Sequence, residues 1–77
     1  MPLRLPRISG EETIAVLRRL GFTVQRQRGS HVILKKRVSH EEEIGCVVPL
    51  HHELAIGTLR SILRQARVSP EEFVENL

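Results

Sequence analysis

One histidine lies beside a turn signal and among cations in the stretch "RQRGSHVILKK", residues 26–36. His31 follows the pair Gly29-Ser30 and precedes an apolar Val-Ile-Leu run. Histidine has the unperturbed pKa closest to neutrality, so an imidazole can accept or donate a proton at working pH. Residues 26–37 also hold five Lys or Arg side chains and no acid, a positive field that attracts phosphates or an acidic protein. A plainer interpretation is a solvated cationic edge with an idle surface histidine.

The other histidines and the cysteine give weaker signals. His40 falls in a charged loop, and His51 and His52 are adjacent, so they would project differently from an extended chain. The histidines lack the i, i+4 spacing of a zinc site and the chain has no Cys-x-x-Cys pair, so we expect no bound metal. Cys46 lies in an apolar run and is expected to be an inert core thiol. Residues 41–43 are three acids that could hold Mg²⁺, but such a loop is more often a solvated face.

The composition is that of one small soluble domain. The 77 residues are 40% hydrophobic and 27% charged, and a chain of this size buries about 60% of its unfolded surface. It has no apolar run near the ~20 residues that span a bilayer, no signal-peptide core, and a single cysteine. We therefore expect a cytoplasmic protein with no membrane association. Two Phe and no Trp or Tyr indicate that any nucleic acid is held by charge and shape rather than by base stacking.

The first helix is predicted over residues 10–20. Ser9 and Glu12 have the spacing of a capping box, and Gly21 is the residue type that ends a helix in the left-handed conformation. The nine residues ahead of it include two prolines and two arginines. We therefore expect residues 1–9 to be a flexible basic arm ahead of a single domain, residues 10–77.

A second helix is predicted over residues 58–67, followed by a short terminal helix. The second helix has one apolar stripe and one cationic stripe about 100° away from it, at the ideal helical pitch. The apolar stripe is Leu59, Ile62, Leu63 and Ala66, and the cationic one is Arg60, Arg64 and Arg67. Ser69, in a second capping box with Pro70 at the first helical position, opens the terminal helix.

Three strands are predicted between the helices, over residues 22–28, 31–37 and 44–48. The two-residue link Gly29-Ser30 makes the first two an antiparallel hairpin. In the first strand, alternation puts Phe22 and Val24 on one face and Thr23, Gln25 and Gln27 on the other.

The element order predicts an α+β fold, a three-stranded antiparallel sheet with both helices on one face. Side chains alternate along a strand, so burying Val32 and Leu34 sends His31 and Lys35 to the solvent-exposed face. The opposite register would bury unpaired charge, which is costly. Lys36 is expected on the other side from His31.

Three segments in order resemble the HicA family of small toxin ribonucleases. They are "RQRGSHVILKK", "VVPLHHE" and "LAIGTLRSILRQARVSPEEFVENL". They match a Gly-Ser-His strand opening, a Val-Pro-x-His segment and a closing Gly-Thr-Leu-Arg-x-Ile-Leu helix. The resemblance extends over residues 11–77, and it is the ordered combination that makes it specific.

The resemblance implies a double-stranded-RNA-binding-like α-β-β-β-α fold and cleavage of messenger RNA without a metal or cofactor. The family's catalytic histidine corresponds to His31, and the preceding Gly29 and Ser30 also match. It further implies a HicB-type antitoxin that covers the active face, and a bacterial or archaeal cytoplasmic setting.

The chemistry of RNA agrees with this assignment, because a 2′-hydroxyl can attack the adjacent phosphorus once a base removes its proton. Cations would stabilise the anionic phosphorane, and others could follow the RNA backbone. The candidates for the first role are Arg28, Lys35 and Lys36, and for the second Arg26 and the stripe Arg60, Arg64 and Arg67.

Several alternatives remain open from the sequence. The second acid–base group is unnamed, although His51 or His52 could approach the sheet. The chain could also be a non-catalytic RNA-binding module of the same fold, for which shape and phosphate contacts suffice. A third possibility is a protein-interaction domain whose basic face docks an acidic partner.

Overall fold

The computed structural model describes residues 4–77, and its elements confirm the predicted α-β-β-β-α layout with a short C-terminal helix. The strands form one antiparallel sheet in the order β1-β2-β3. In chain order the elements are α1 (Gly10–Arg19), β1 (Thr23–Arg28), β2 (His31–Arg37), β3 (Glu43–Pro49), α2 (Ile56–Ala66) and α3 (Pro70–Glu75). Within residues 4–77, no helix is long and apolar enough to cross a membrane.

Hydrogen bonds at both ends fix α1. The Ser9 hydroxyl accepts from the Glu12 N–H at 3.0 Å, and the Glu12 carboxylate accepts from the Ser9 N–H at 3.0 Å, so the predicted capping box is formed. The hydrogen bond from the Ser9 backbone, and secondarily the one with the Ser9 side chain, lower the pKa of the Glu12 carboxyl group. At the other end, the N–H groups of Gly21 and Phe22 donate back to carbonyls of the last turn, which is a Schellman motif. This turn directs the chain into β1.

The four apolar residues of the α2 stripe are all buried at 2% exposure or less, as predicted. The helix begins at Ile56, two residues before the predicted start. Arg67 lies beyond its last turn, in the left-handed conformation with φ 57°, and its guanidinium pairs with Glu42 at 2.8 Å. The predicted arginine stripe therefore loses this member, and Arg60 and Arg64 alone remain on the helix.

The sheet buries one face and exposes the other. Val32 and Leu34 of β2, with Cys46 and Val48 of β3, are 4% exposed or less. They pack in one core with the buried residues of α1 and α2. The helices therefore lie on one face of the sheet, as predicted, and solvent reaches the other.

β1 differs from its prediction. All six of its residues are exposed, and Val24 is 45% exposed although Phe22, just before the strand, is 2% exposed. Val24 lies opposite the buried Leu34, so Phe22 and Val24 share the helix-covered side as predicted, with Val24 at the exposed edge of the sheet. Thr23 lies opposite Lys35 but Gln27 lies opposite the buried Val32, so the predicted shared face of Thr23 and Gln27 is wrong. Val24 and Arg26 pair with consecutive residues of β2, so Gln25 between them is the extra residue of a β-bulge. The bulge interrupts the alternation from which the prediction was made.

The N-terminal segment was predicted to be a flexible basic arm. Leu5 and Ile8 are each 8% exposed and belong to the core, and the Leu54 N–H donates to the Ile8 carbonyl at 2.8 Å. Arg7 pairs with Glu53 at 3.0 Å. Residues 4–9 are therefore packed against the domain, and residues 1–3 of the predicted arm lie outside the described residues.

α3 closes the core at the C-terminal end. The Ser69 hydroxyl accepts from the Glu72 N–H at 3.0 Å, which is the serine half of the predicted capping box, and Pro70 stands at the helix start. Phe73 is completely buried. A six-residue helix has little intrinsic stability, so packing of this ring holds it in place.

Candidate active site

β2 presents His31 on the side of the sheet away from the helices. Val32 and Leu34 are buried, and side chains alternate along a strand, so the exposed His31 side chain faces solvent. The predicted register of β2 is confirmed. The residues directly opposite His31 are Arg28 on β1 and Pro49 on β3.

The β-bulge of β1 brings two arginines to the same side. Residues directly opposite each other in neighbouring strands share a face. Arg28 lies opposite His31, and Arg26 lies opposite Ile33, so both guanidinium groups project from the face that carries the histidine. In a regular strand, Val24 and Arg26 would lie on the same face because they are two residues apart. The extra residue, Gln25, shifts the alternation by one, so Val24 and Arg26 lie on opposite faces.

Lys35 continues this surface along β2. It lies two residues beyond Ile33 on the same side, and its ammonium nitrogen is 3.7 Å from the Glu43 carboxylate. Each of these two side chains is about two-fifths exposed, so the ion pair is weak and accessible. We term this surface the open face; it consists of Arg26, Arg28, His31, Ile33, Lys35 and Val47.

The turn between β1 and β2 holds Arg28 and His31 at fixed separation. Gly29 has φ 55°, the left-handed region that favours glycine, and the Gln27 side-chain amide donates to its carbonyl at 2.8 Å. The Ser30 carbonyl accepts from the Leu50 N–H at 2.6 Å. The turn is thus tied both to β1 and to the segment that follows β3.

A family model describing the HicA toxin of bacterial toxin–antitoxin systems matches residues 10–68, which extend from the start of α1 to just past α2. The chain belongs to the HicA toxin family. This HicA toxin is therefore one component of a toxin–antitoxin system, and an antitoxin is its partner. The matched segment contains the whole open face. No curated relative matches the sequence.

Three cations considered in the sequence analysis lie elsewhere on this HicA toxin. Lys36 is opposite Ile44, on the other side of β2 from His31, and its ammonium lies 5.7 Å from the centre of the Phe22 ring. Arg60 and Arg64 line a groove of the helical layer. The other lining residues are Leu5, Leu63, Val68 and Pro70. Of the candidate RNA-binding cations, Arg26, Arg28 and Lys35 thus share a face with His31. Arg37 also lies on this side, at the far end of β2 and opposite Glu43.

The acids of residues 41–43 lie at the end of β2 opposite to His31. Glu43 pairs with the last residue of β2, and Glu42 hydrogen-bonds to Arg67. That hydrogen bond and the guanidinium charge lower the pKa of Glu42. Across residues 4–77, no three His, Cys, Asp or Glu side chains converge as metal ligands. These carboxylates therefore border the open face without interrupting its cations near His31.

The remaining reactive groups fall into two environments. Cys46 is 2% exposed, and burial raises the pKa of its thiol to about 11, as expected of an inert core cysteine. His40, His51 and His52 are exposed, and the Gly10 N–H donates to the His51 carbonyl at 2.9 Å. The sequence could not separate His51 from His52, because their different environments follow from backbone hydrogen bonds of the chain after β3.

Proposed function

We propose that this HicA toxin is an endoribonuclease that cleaves messenger RNA without a metal ion, with His31 as its catalytic acid or base. One observation carries the proposal: an exposed histidine shares the open face with Arg26, Arg28 and Lys35 in a chain that belongs to a toxin family. Its setting is the cytoplasm, where messenger RNA is found.

The chemistry follows from RNA itself, since the nucleophile belongs to the substrate. A base removes the 2′-hydroxyl proton, the 2′ oxygen attacks the adjacent phosphorus, and the bond to the 5′ oxygen breaks as that oxygen gains a proton. The products are a 2′,3′-cyclic phosphate and a 5′-hydroxyl. An imidazole can serve in either proton transfer, and each contributes roughly 10²–10⁴-fold.

The cations of the open face suit the charge that develops in this reaction. Arg28 is directly opposite His31 and is the candidate that stabilises the phosphorane oxygens. Arg26 and Lys35 lie farther along the face and are candidates for contacts with neighbouring phosphates. With base stacking unsupported by aromatic side chains, we propose weak discrimination among RNA sequences.

The antitoxin partner is proposed to be of the HicB type and to cover the open face. Ile33 is half-buried in the middle of this face, and Val47, opposite it on the edge strand β3, is 41% exposed. Arg26 lies on the other side of Ile33, and Lys35 lies two residues along β2. Such an apolar centre with a charged rim is typical of protein interfaces. A protein bound there would exclude RNA from His31.

The test is incubation of the purified protein in EDTA with a long single-stranded RNA and, separately, with DNA of the same sequence. The expected result is fragmentation of the RNA alone, with 2′,3′-cyclic phosphate at the new 3′ ends. Cleavage that requires added Mg²⁺, or fragments with 3′-hydroxyl ends, would contradict the proposal. Binding of RNA without any cleavage would instead support a non-catalytic RNA-binding module of the same fold.

A further inference from the structure

We propose that His51 is the second acid–base group of this active site; the inference rests on the proposed ribonuclease function. RNA cleavage through the 2′-hydroxyl moves two protons, one from the nucleophile and one to the leaving group. His31 can serve only one of these at a time. A second imidazole on the same face would allow both transfers in one step.

The backbone carries His51 to the open face. His31 is opposite Pro49, and the next pair of residues is joined by the Leu50 N–H donating to the Ser30 carbonyl at 2.6 Å. The pairing between β2 and β3 therefore extends one residue past Pro49, and Pro49, opposite His31, is itself buried. Leu50 packs against the core, as do the even-numbered residues of β3. His51, one residue later and exposed, takes the side on which His31 lies.

The start of α1 holds this segment in position. The Gly10 N–H donates to the His51 carbonyl at 2.9 Å, and a Cβ at Gly10 would collide with the Pro49 carbonyl oxygen. The absence of a side chain at Gly10 thus lets the first turn of the helix pack directly on this backbone. His51 is therefore placed by two tertiary contacts, although it lies outside the strand.

The separation suits a bridging phosphodiester. In an antiparallel pair, residues on one face that are diagonal neighbours lie roughly 7–8 Å apart, within reach of ring side chains. His31 and His51 stand in this relation through Pro49. A phosphate bound between them, beside Arg28, would meet one imidazole at the 2′ oxygen and the other at the 5′ oxygen.

The two imidazole rings account for both protons that the cleavage step moves. One neutral imidazole takes the 2′-hydroxyl proton as the 2′ oxygen forms its bond to phosphorus. The other, protonated, gives its proton to the 5′ oxygen as the phosphorus–oxygen bond breaks. Each ring then exchanges one proton with water, and the protein returns to its starting state.

The first experiment compares His51→Ala and His51→Gln with wild type and with the matched control His52→Ala. His52 has the same chemistry one residue farther on, where the chain bends away after its last bond to β2. Single-turnover cleavage of RNA in EDTA is expected to fall roughly 10²–10⁴-fold in both His51 variants and to change little in His52→Ala. RNA affinity and thermal unfolding of the His51 variants are expected to match wild type.

A second substrate separates proton transfer from a structural role. When the 5′ oxygen is replaced by sulfur, the leaving group needs no proton, so the variant that lacks the acid regains rate and the variant that lacks the base does not. One of His31→Ala and His51→Ala is expected to be rescued on this RNA. Rescue of neither variant would overturn the proposed pair.

The two proposals fail in different ways. Full activity of His51→Ala together with an inactive His31→Ala would overturn the role of His51 and leave the proposed function standing. A wild-type protein that binds RNA but does not cleave it in EDTA would overturn both.

Discussion

At the scale of single residues, the site depends on which side of β2 each side chain takes. Val32 and Leu34 are buried, so His31 and Lys35 face solvent while Lys36 lies on the side of the Phe22 ring. This parity was predictable from the sequence, because only one register avoids the burial of unpaired charge. Two adjacent lysines with identical chemistry therefore occupy different surfaces.

The two lysines give a matched pair of variants. Lys35→Ala is expected to weaken RNA binding and to reduce the slope of log K against log salt by about 0.7, the value for one phosphate contact with a single strand. Lys36→Ala is expected to leave both quantities unchanged, since its ammonium contacts Phe22 instead. Fluorescence titrations of a labelled RNA at several salt concentrations measure the effect. Equal losses in the two variants would contradict the assignment of Lys35 alone to the open face.

Cys46 provides a prediction about pH. Burial raises the pKa of its thiol to about 11, so the folded protein holds this proton more tightly than the unfolded chain. The stabilising effect is complete below the unfolded pKa near 9 and is lost as pH rises toward 11. Stability measured by urea unfolding is therefore expected to decline between pH 9 and 11 more steeply in wild type than in Cys46→Ala. Parallel declines would show that the thiol is not protected.

At the scale of elements, the β1–β2 hairpin places the charged groups. Its two-residue turn and the alternation of β2 could be predicted from Gly29-Ser30 and from the apolar run after it. The bulge at Gln25 could not, because residues 22–28 alternate in type as a regular strand does. The local pattern carries no sign of the extra residue, which depends on how the strand pairs with β2 and leaves the core after Phe22. The shared face of Arg26, Arg28 and His31 thus depends on tertiary structure and not on the local sequence pattern.

Alanine substitutions at two glycines compare the β1–β2 turn with an ordinary helical position. Gly29→Ala is expected to destabilise the fold by about 1 kcal/mol, since its φ of 55° disfavours a side chain even though a Cβ would meet no atom within 4 Å. Gly57→Ala, equally free of contacts but in α2, is expected to stabilise it by about 0.5 kcal/mol. Urea unfolding at 25 °C measures both. The same sign of change for the two variants would contradict a left-handed turn at Gly29.

At the scale of the whole molecule, the fold separates a covered face from a functional one. The helices cover one side of the sheet, and the open face combines cations with a small apolar centre. The layering could be predicted from the order and periodicity of the elements. The packing of Leu5 and Ile8 could not, because these two residues lie among prolines and charges without helical or strand periodicity. Only the completed core provides the surface that they cover.

The proposed antitoxin interface gives a prediction at this scale. Val47→Asp would carry a carboxylate into the apolar part of the proposed interface, where desolvation without a partner is costly, so antitoxin affinity is expected to fall by roughly tenfold or more. Val38→Asp is the control, since Val38 is 43% exposed against 41% for Val47 but lies in the loop after β2, at the end away from His31. Calorimetric titration with the antitoxin measures both affinities. An unaffected Val47→Asp complex would mean that the antitoxin binds elsewhere.

The most direct test of the proposed catalytic role of His31 is the single-turnover cleavage rate of His31→Ala in EDTA at saturating RNA. His40→Ala is measured beside it, because His40 is another exposed histidine, near the opposite end of β2. We expect His31→Ala to remain folded and bind RNA but to lose cleavage by at least roughly 10²-fold, while His40→Ala cleaves at the wild-type rate. Cleavage by His31→Ala at the wild-type rate would contradict a catalytic role for His31.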